Sequence, residues 1–250
     1  CKKDDKQKFS YMDPAAYPGI RNGGVPYSDI EQYFGSLELN YDFDNDLTLT
    51  SVTGYYDVDQ SSLVNLGITT GFGTPMANQG HFERNDFTQE LRLTSNFDGD
   101  LNFTLGGFYQ TGETDYLSWL PWNQTMQKLS PRFNLGQALT WADNEMDAET
   151  ISGFGQVLWQ ITPDLELGLG ARWTAEDREH SQMVRTVTRP DRTVEWLPAP
   201  VPNPLGNPDL GSDNWSPEVS LTWTATESLT VFANLKQAYK SGSFDLTPAK

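Results

Sequence analysis

The sequence predicts an all-β, antiparallel fold, and three features of the 250-residue chain support this prediction. Apolar and polar residues alternate along its longer segments, no segment of comparable length shows helical periodicity, and tight turns join these segments in pairs. Successive side chains of a strand project to opposite faces, so alternation gives a strand one apolar and one polar face. The segment DLELGLGARWTAEDRE, residues 164–179, alternates in this way and then ends in charged residues.

About eight segments show this alternation, and most exceed the usual strand length of about 5–6 residues. The pattern is clear in SLELNYDF at residues 36–43 and in DFTQELRLTSNF at residues 86–97, and it is weaker in ISGFGQVLWQI at residues 151–161. In chain order, the predicted strands occupy residues 36–43, 46–57, 86–97, 100–112, 151–161, 164–179, 216–226 and 228–242.

The connections between the predicted strands are short and long in alternation. The tight turns are DND (44–46), DGD (98–100), TPD (162–164) and TES (226–228). The long connections at residues 57–81, 113–148 and 179–214 hold most of the proline, glycine and asparagine. Structureless loops of this length are rare in compact soluble domains, whereas membrane barrels have short periplasmic turns and long extracellular loops. The sequence therefore predicts a portion of an antiparallel transmembrane β-barrel.

The composition limits the partners that the chain can have. No run approaches the roughly 18 apolar residues of a membrane-spanning helix, but barrel strands need only about 9–11 residues, apolar on one side. The net charge of -17 argues against nucleic acid and against docking on anionic lipid surfaces. Acidity of this size fits solvated loops or a polar lumen, and a role in attracting cations stays open.

Motifs that resemble chemical sites are incomplete in this sequence. DFDNDL (42–47) has aspartates at the first, third and fifth positions of a calcium loop but lacks its later glycine and glutamate. GLGARW (168–173) begins like a dinucleotide fingerprint, but Trp173 stands at the third glycine position. The histidines, His81 and His180, are far apart and lack carboxylates at ligand spacing. The sequence therefore predicts no catalytic residue, cofactor or metal site, and no enzyme.

Three stretches resemble the barrel of TonB-dependent outer-membrane receptors. They are FTQELRLTS (87–95), the segment at 153–179 and the segment at 214–244. QELRLTS resembles a recurrent strand start of that family, and YKSGSF resembles its Tyr/Phe-Lys-Ser-Gly-Gly-Phe pattern, with Ser243 in place of the second glycine. The three occur in the expected order and are spread over most of the chain.

The resemblance implies a function that the alternation alone does not. Such receptors close about 22 strands around a plug domain in the bacterial outer membrane. They import scarce, bulky ligands such as ferric siderophores, cobalamin or oligosaccharides, using energy from the inner-membrane TonB–ExbB–ExbD complex. Residues 1–250 are expected to be part of such a barrel, in contact with lipid and an extracellular ligand, without the plug domain, a TonB box or the C-terminal strands.

Two alternatives stay open at this point. The chain could be a soluble or lipid-tethered all-β carbohydrate-binding module, with Cys1 as the lipid-bearing residue of a lipoprotein. It could also be a complete small barrel, because eight strands can close on themselves. We favour a boundary within a longer chain at Cys1 and a portion of a larger barrel.

Aromatic residues in two of the long connections are candidates for ligand contact. Tyr116, Trp119, Trp122 and Trp141 lie in one connection, and Trp196 lies in the next. Exposed aromatic rings with polar neighbours form stacking surfaces for sugars, aromatic ligands or siderophore rings. The alternative is that these rings pack the loops against one another and against a plug.

Overall fold

The computed structural model describes residues 11–67, 76–125, 138–188, 194–203 and 209–244. Its strands form one antiparallel sheet, which confirms the predicted fold class. The elements in chain order are a 3-10 helix, Arg21–Gly24, followed by the strands β1 (Tyr27–Phe43), β2 (Leu47–Asn65), β3 (Ala77–Ser95), β4 (Leu101–Pro121), β5 (Ala138–Thr162), β6 (Leu165–Thr188), β7 (Val194–Pro202), β8 (Asp209–Thr226) and β9 (Leu229–Lys236).

The order of the strands in the sheet follows the chain, as expected for successive hairpins. The path runs from β1 to β6 and then to β8 and β9, while β7 folds back on the far part of β6. Within the described residues, β1 and β9 each pair on one side only, so the sheet is open. The alternative of a complete eight-stranded barrel is therefore wrong for this part of the chain.

The predicted long connections are in large part strand, which corrects the sequence analysis. β2 continues to Asn65, β4 has 21 residues and β5 has 25 residues. The apolar alternation ends earlier than the hydrogen-bonded pairing, because charged side chains replace apolar ones where the strands leave the membrane. β7 lies in the predicted connection 179–214, so the described residues contain nine strands where the sequence predicts about eight. Apart from a few residues next to the strand ends, the remaining parts of these connections lie outside the described residues.

Alternation gives the sheet an apolar face, which we call the outward face, and a polar face. Leu37, Leu105 and Trp215 on the outward face are 57%, 60% and 62% exposed. Rows of large apolar side chains with this exposure on one face are typical of a surface that contacts lipid. The polar face is crowded at Gly168, where a Cβ atom would collide with the hydroxyl of Ser220. No helix within the described ranges is long and apolar enough to cross a membrane.

Tryptophan residues mark both edges of the apolar band. Trp159 and Trp223 lie near the short turns, and Trp173 pairs with Trp215 in register nearer the long connections. From Trp215 to Trp223 the strand runs about 26 Å, and the usual tilt reduces this to about 20 Å of membrane thickness, comparable with an apolar band of about 25 Å. Membrane-spanning segments therefore extend from the short turns to the level of Trp173.

Beyond this level the outward face becomes strongly acidic. Glu31, Asp59, Glu83, Asp115 and Glu145 are successive cross-strand partners on β1 to β5, without a lysine or arginine among them. A second row, nearer the membrane, contains Asp57, Glu113, Asp147, Glu179 and Asp209. Like charges directly opposite each other destabilise a sheet. We call these two sets the acidic rows.

Asp115 shows the electrostatic effect of the acidic rows. Partial burial raises the pKa of its carboxyl, and the negative charges of Glu83, Asp143, Glu113 and Asp147 raise that pKa further. The folded protein therefore holds this proton more tightly than the unfolded chain does, so ionisation of Asp115 destabilises the fold as the pH rises through its pKa.

The assignment of the two faces predicts opposite effects for arginine on either side of the sheet. Leu169→Arg places a charge in the middle of the apolar band and should destabilise the protein by about 2–4 kcal/mol. Gln156→Arg, on the polar face of the adjacent strand, should have little effect. Urea unfolding from lipid vesicles measures both, and equal losses would contradict the assignment.

The acidic rows predict that removal of one charge stabilises the protein. Asp115→Asn relieves repulsion from Glu83 and Glu145 and should add about 0.5–1 kcal/mol to the free energy of unfolding at pH 7. The measurement is made with a chelator, so that no divalent cation screens the carboxylates. This gain should disappear as the pH falls and the wild-type carboxyl becomes protonated. A substitution that destabilises the protein at pH 7 would show that the rows do not repel.

Candidate functional site

The polar face contains a groove of about 650 Å³ that lies opposite the lipid-facing surface. β6 positions Arg172 in the groove, on the face opposite the apolar side chains. The other groove residues come from β3, β4, β5, β8, β9 and the segment after β9. Charged and aromatic side chains that line it are Arg92, Phe154, Arg172, Glu218, Lys236 and Tyr239.

Two of the three cations in the groove are paired with carboxylates. Lys236 Nζ lies 3.0 Å from Glu218 Oε2, because β8 and β9 place the two residues directly opposite each other. Asn234 Nδ2 donates a hydrogen bond of 2.7 Å to the other oxygen of Glu218. Arg92 Nη1 lies 3.2 Å from Glu90 Oε1 on the same strand face. These pairs neutralise most of the local charge.

Arg172 differs from these two cations in its surroundings. Its guanidinium carbon lies 5.3 Å from the ring centroids of both Phe108 and Phe154, which is cation–π distance. Its Nε donates to Thr174 Oγ1 at 3.3 Å, and no carboxylate within the described residues forms an ion pair with it. Within the described residues, the aromatic rings thus hold a positive charge on the wall of the groove that no carboxylate neutralises.

Beyond the level of the membrane, the polar face combines aromatic rings with a charged pair. Phe82 on β3 and Tyr116 on β4 are cross-strand partners, and their rings meet edge to face with centroids 6.3 Å apart. Arg84 Nε donates to Asp86 Oδ2 at 2.6 Å, and Gln110 Nε2 donates to the other oxygen of Asp86 at 3.1 Å. This surface can accept both a flat ring and polar groups.

A network of buried polar side chains supports Tyr116 from the side of β5 and β6. Gln182 Nε2 donates to Asn144 Oδ1 at 2.7 Å, and Asn144 Nδ2 donates to the backbone oxygen of Tyr116 at 2.9 Å. His180 lies 3.3 Å from the same Asn144 oxygen, and its burial lowers the pKa of the imidazole. This burial favours the neutral imidazole, and the ring of His180 stacks on Phe244 with the centroids 5.0 Å apart.

The YKSGSF segment crosses the polar face after β9. Arg178 on β6 donates to Ser241 Oγ and to the backbone oxygen of Gly242, both at 3.0 Å. A Cβ atom on Gly242 would contact the terminal methyl groups of Leu210, so this segment lies close to β8. The motif thus fixes a chain segment against β6 and β8.

The structure separates the five aromatic residues that the sequence indicates as ligand contacts. Tyr116, Trp119, Trp141 and Trp196 lie on strands rather than in loops, because pairing continues beyond the membrane. Only Trp122 follows a strand, and it forms an isolated bridge with Met76. Tyr116 alone is placed on the polar face beside Phe82 by its register.

Three of the tryptophans form a cluster, which we call the tryptophan cluster: Trp119, Trp141 and Trp196. Trp119 and Trp141 are cross-strand partners on β4 and β5, and the rings of Trp119 and Trp196 are 6.5 Å apart. The guanidinium of Arg185 lies 4.7 Å from the ring centroid of Trp196. Two neighbouring hairpins are joined by this contact, so these rings pack the hairpins together.

The segment before β1, residues 11–24, covers the same region and was not anticipated from the sequence. Met12 and Tyr17 are fully buried against Leu63 and Ala77. Burial raises the pKa of Tyr17 to about 12, and Gly19 lies against the ring of Trp119. Short segments without alternation give no signal of this kind of packing in a sequence.

Comparison with known proteins identifies the family. A family model described as TonB dependent receptor-like, beta-barrel matches residues 4–249. Two solved structures share the fold over most of the chain. The ferric yersiniabactin uptake receptor FyuA from Yersinia pestis matches with a TM-score of 0.70 and 16% identity over 96% of this chain and 34% of its own. The open form of the ferric-catecholate import receptor Fiu from E. coli K12 matches with a TM-score of 0.56 and 15% identity, over 84% of this chain and 36% of its own.

The unliganded ferric citrate transporter FecA is similar at a TM-score of 0.51 and 12% identity, over 84% of this chain and 28% of its own. At these identities the similarity shows the fold alone, and the chain spans about a third of the length of these structures. A search of curated sequences finds no significant match.

The family match excludes the tethered binding module. Its members are outer-membrane transport barrels rather than enzymes, and this chain belongs to the TonB-dependent receptor-like β-barrel family.

Proposed function

We propose that residues 1–250 form part of the wall and the extracellular rim of a receptor that imports a scarce, bulky ligand such as a ferric siderophore. In this proposal a plug domain and further strands complete the barrel, and the TonB–ExbB–ExbD complex supplies energy through the plug. The observation that carries the proposal is the groove on the polar face, lined by aromatic and cationic side chains and separated by the sheet from lipid.

The charge distribution supports an anionic ligand such as a ferric siderophore. Carboxylate or catecholate oxygens surround the iron in many such complexes, and the unpaired charge of Arg172 on the groove wall attracts oxygens of this kind. The acidic rows lie on the opposite face, so their charge is directed away from the ligand path. The three similar structures are themselves receptors or transporters of ferric complexes by their descriptions.

Among the five aromatic residues, we infer that Tyr116 contacts the ligand directly. Its ring lies on the polar face against Phe82, and Asn144 fixes its backbone. The tryptophan cluster and Trp122 contribute to the rim by holding the hairpins in place. This division of roles follows from the contacts that each ring makes.

Uptake of labelled iron tests the ligand class. Cells that express the full protein as their sole receptor should take up one of a panel of ferric siderophores, and a strain without TonB should lose this uptake. Labelled oligosaccharides serve as the control ligands. Uptake of an oligosaccharide but of no ferric complex would show that the proposed ligand class is wrong.

A pair of tyrosine variants on one strand tests the proposed role of Tyr116. Tyr116→Ala removes a ring from the polar face and should weaken ligand binding about threefold to tenfold, in line with about 0.5–1.5 kcal/mol for an aromatic contact. Tyr109→Ala removes the same ring from the outward face of β4 and should leave the dissociation constant unchanged. Equal effects at equal amounts of folded protein would exclude a direct contact.

A further inference from the structure

Three potential metal ligands converge on the outward face of β2 and β3, away from the groove. His81 Nε2 lies 2.7 Å from Glu83 Oε1, and His81 Nδ1 lies 3.6 Å from Asp59 Oδ1. Ligand atoms of the three side chains are all within 4.8 Å of one another. Ser61 Oγ adds a hydroxyl 3.0 Å from His81 Nδ1.

The pairing of the two strands determines this arrangement. Asp59 and Glu83 are direct cross-strand partners, and Ser61 and His81 form the next pair on the same face. All four side chains therefore project from neighbouring points of a paired sheet rather than from loops. Ligands on paired strands are held more precisely than ligands on loops, which favours binding of an ion. The sequence analysis missed the group because it considered neither Glu83, two residues after His81, nor Asp59 on the other strand.

The surroundings supply negative charge, and no described lysine or arginine forms an ion pair with Asp59 or Glu83. Glu31 is the cross-strand partner of Asp59, and Asp115 is the partner of Glu83, so the group lies within one acidic row. His81 projects from the same face as the acidic rows, whereas the other histidine, His180, projects from the polar face, and this distinguishes the point from the rest of the carboxylate surface. A mixed set of imidazole and carboxylate ligands suits first-row divalent metal ions.

We propose that Asp59, His81 and Glu83 bind a divalent metal ion of the Zn²⁺ or Mn²⁺ type. One imidazole nitrogen and the two carboxylates supply the protein ligands, and water completes the coordination, because Asp59 and Glu83 are 56% and 51% exposed. The ion connects β2 with β3 and offsets repulsion within the acidic row. The site is on the outward face, so it is separate from the proposed ligand path.

Metal titration of the full protein tests this proposal. The protein, extracted from outer membranes in detergent and treated with a chelator, should bind one equivalent of Zn²⁺ from zinc chloride alone. His81→Ala should weaken this binding at least about tenfold, since a ligand matters at least as much as an outer-shell partner. Glu145→Gln is the matched control, because it removes a charge from the same row away from the imidazole, and it should leave the affinity unchanged.

Pulsed electron paramagnetic resonance of Mn²⁺ on the wild-type protein gives a readout that needs no variant. Coupling of the bound Mn²⁺ to an imidazole nitrogen is expected, and this expectation does not depend on whether the protein imports siderophores. Absence of this coupling, absence of stoichiometric binding, or equal weakening by Glu145→Gln and His81→Ala would overturn the proposal and leave only diffuse attraction of cations.

Discussion

The structure depends on one constraint, which is that backbone N–H and C=O groups inside an apolar layer must find partners within the protein. Antiparallel pairing meets this constraint between β1 and β9, with registers that run almost without interruption, while the outer edges of these two strands have no partner within the described residues. Because pairing fixes which residues lie opposite each other, it also fixes the two faces. The lipid contacts, the groove and the rows of charge are consequences of this pairing.

Pairing extends farther than the membrane does, and this has consequences for the rim. Strands of up to 25 residues carry the same alternation of faces into water, where the outward side chains change from leucine and tryptophan to aspartate and glutamate. The polar face continues without such a break from Arg172 to Tyr116. In the proposed receptor, a ligand that enters from outside would therefore meet one continuous wall, while the outer surface changes from charged to apolar.

The sequence was sufficient for features that depend on local alternation. The faces of β6, the short turns and the fold class follow from the pattern of residues 164–179 and its repeats. Alternation reports which solvent a face meets, however, and not whether the backbone is paired, so the extracellular extensions were interpreted as loops. The tryptophan cluster and the Asp59–His81–Glu83 group depend on register between strands, and no local pattern encodes that register.

Solvent accessibility along β6 tests the central claim most directly. Single cysteines from Leu165 to Ala175, in a protein whose Cys1 is replaced by serine, would carry nitroxide labels in lipid vesicles. The account predicts that odd-numbered positions collide mainly with oxygen from the lipid and even-numbered positions mainly with a water-soluble nickel complex. A profile without this alternation, or one with both faces accessible to water, would contradict the assignment of a lipid face and a lumen face.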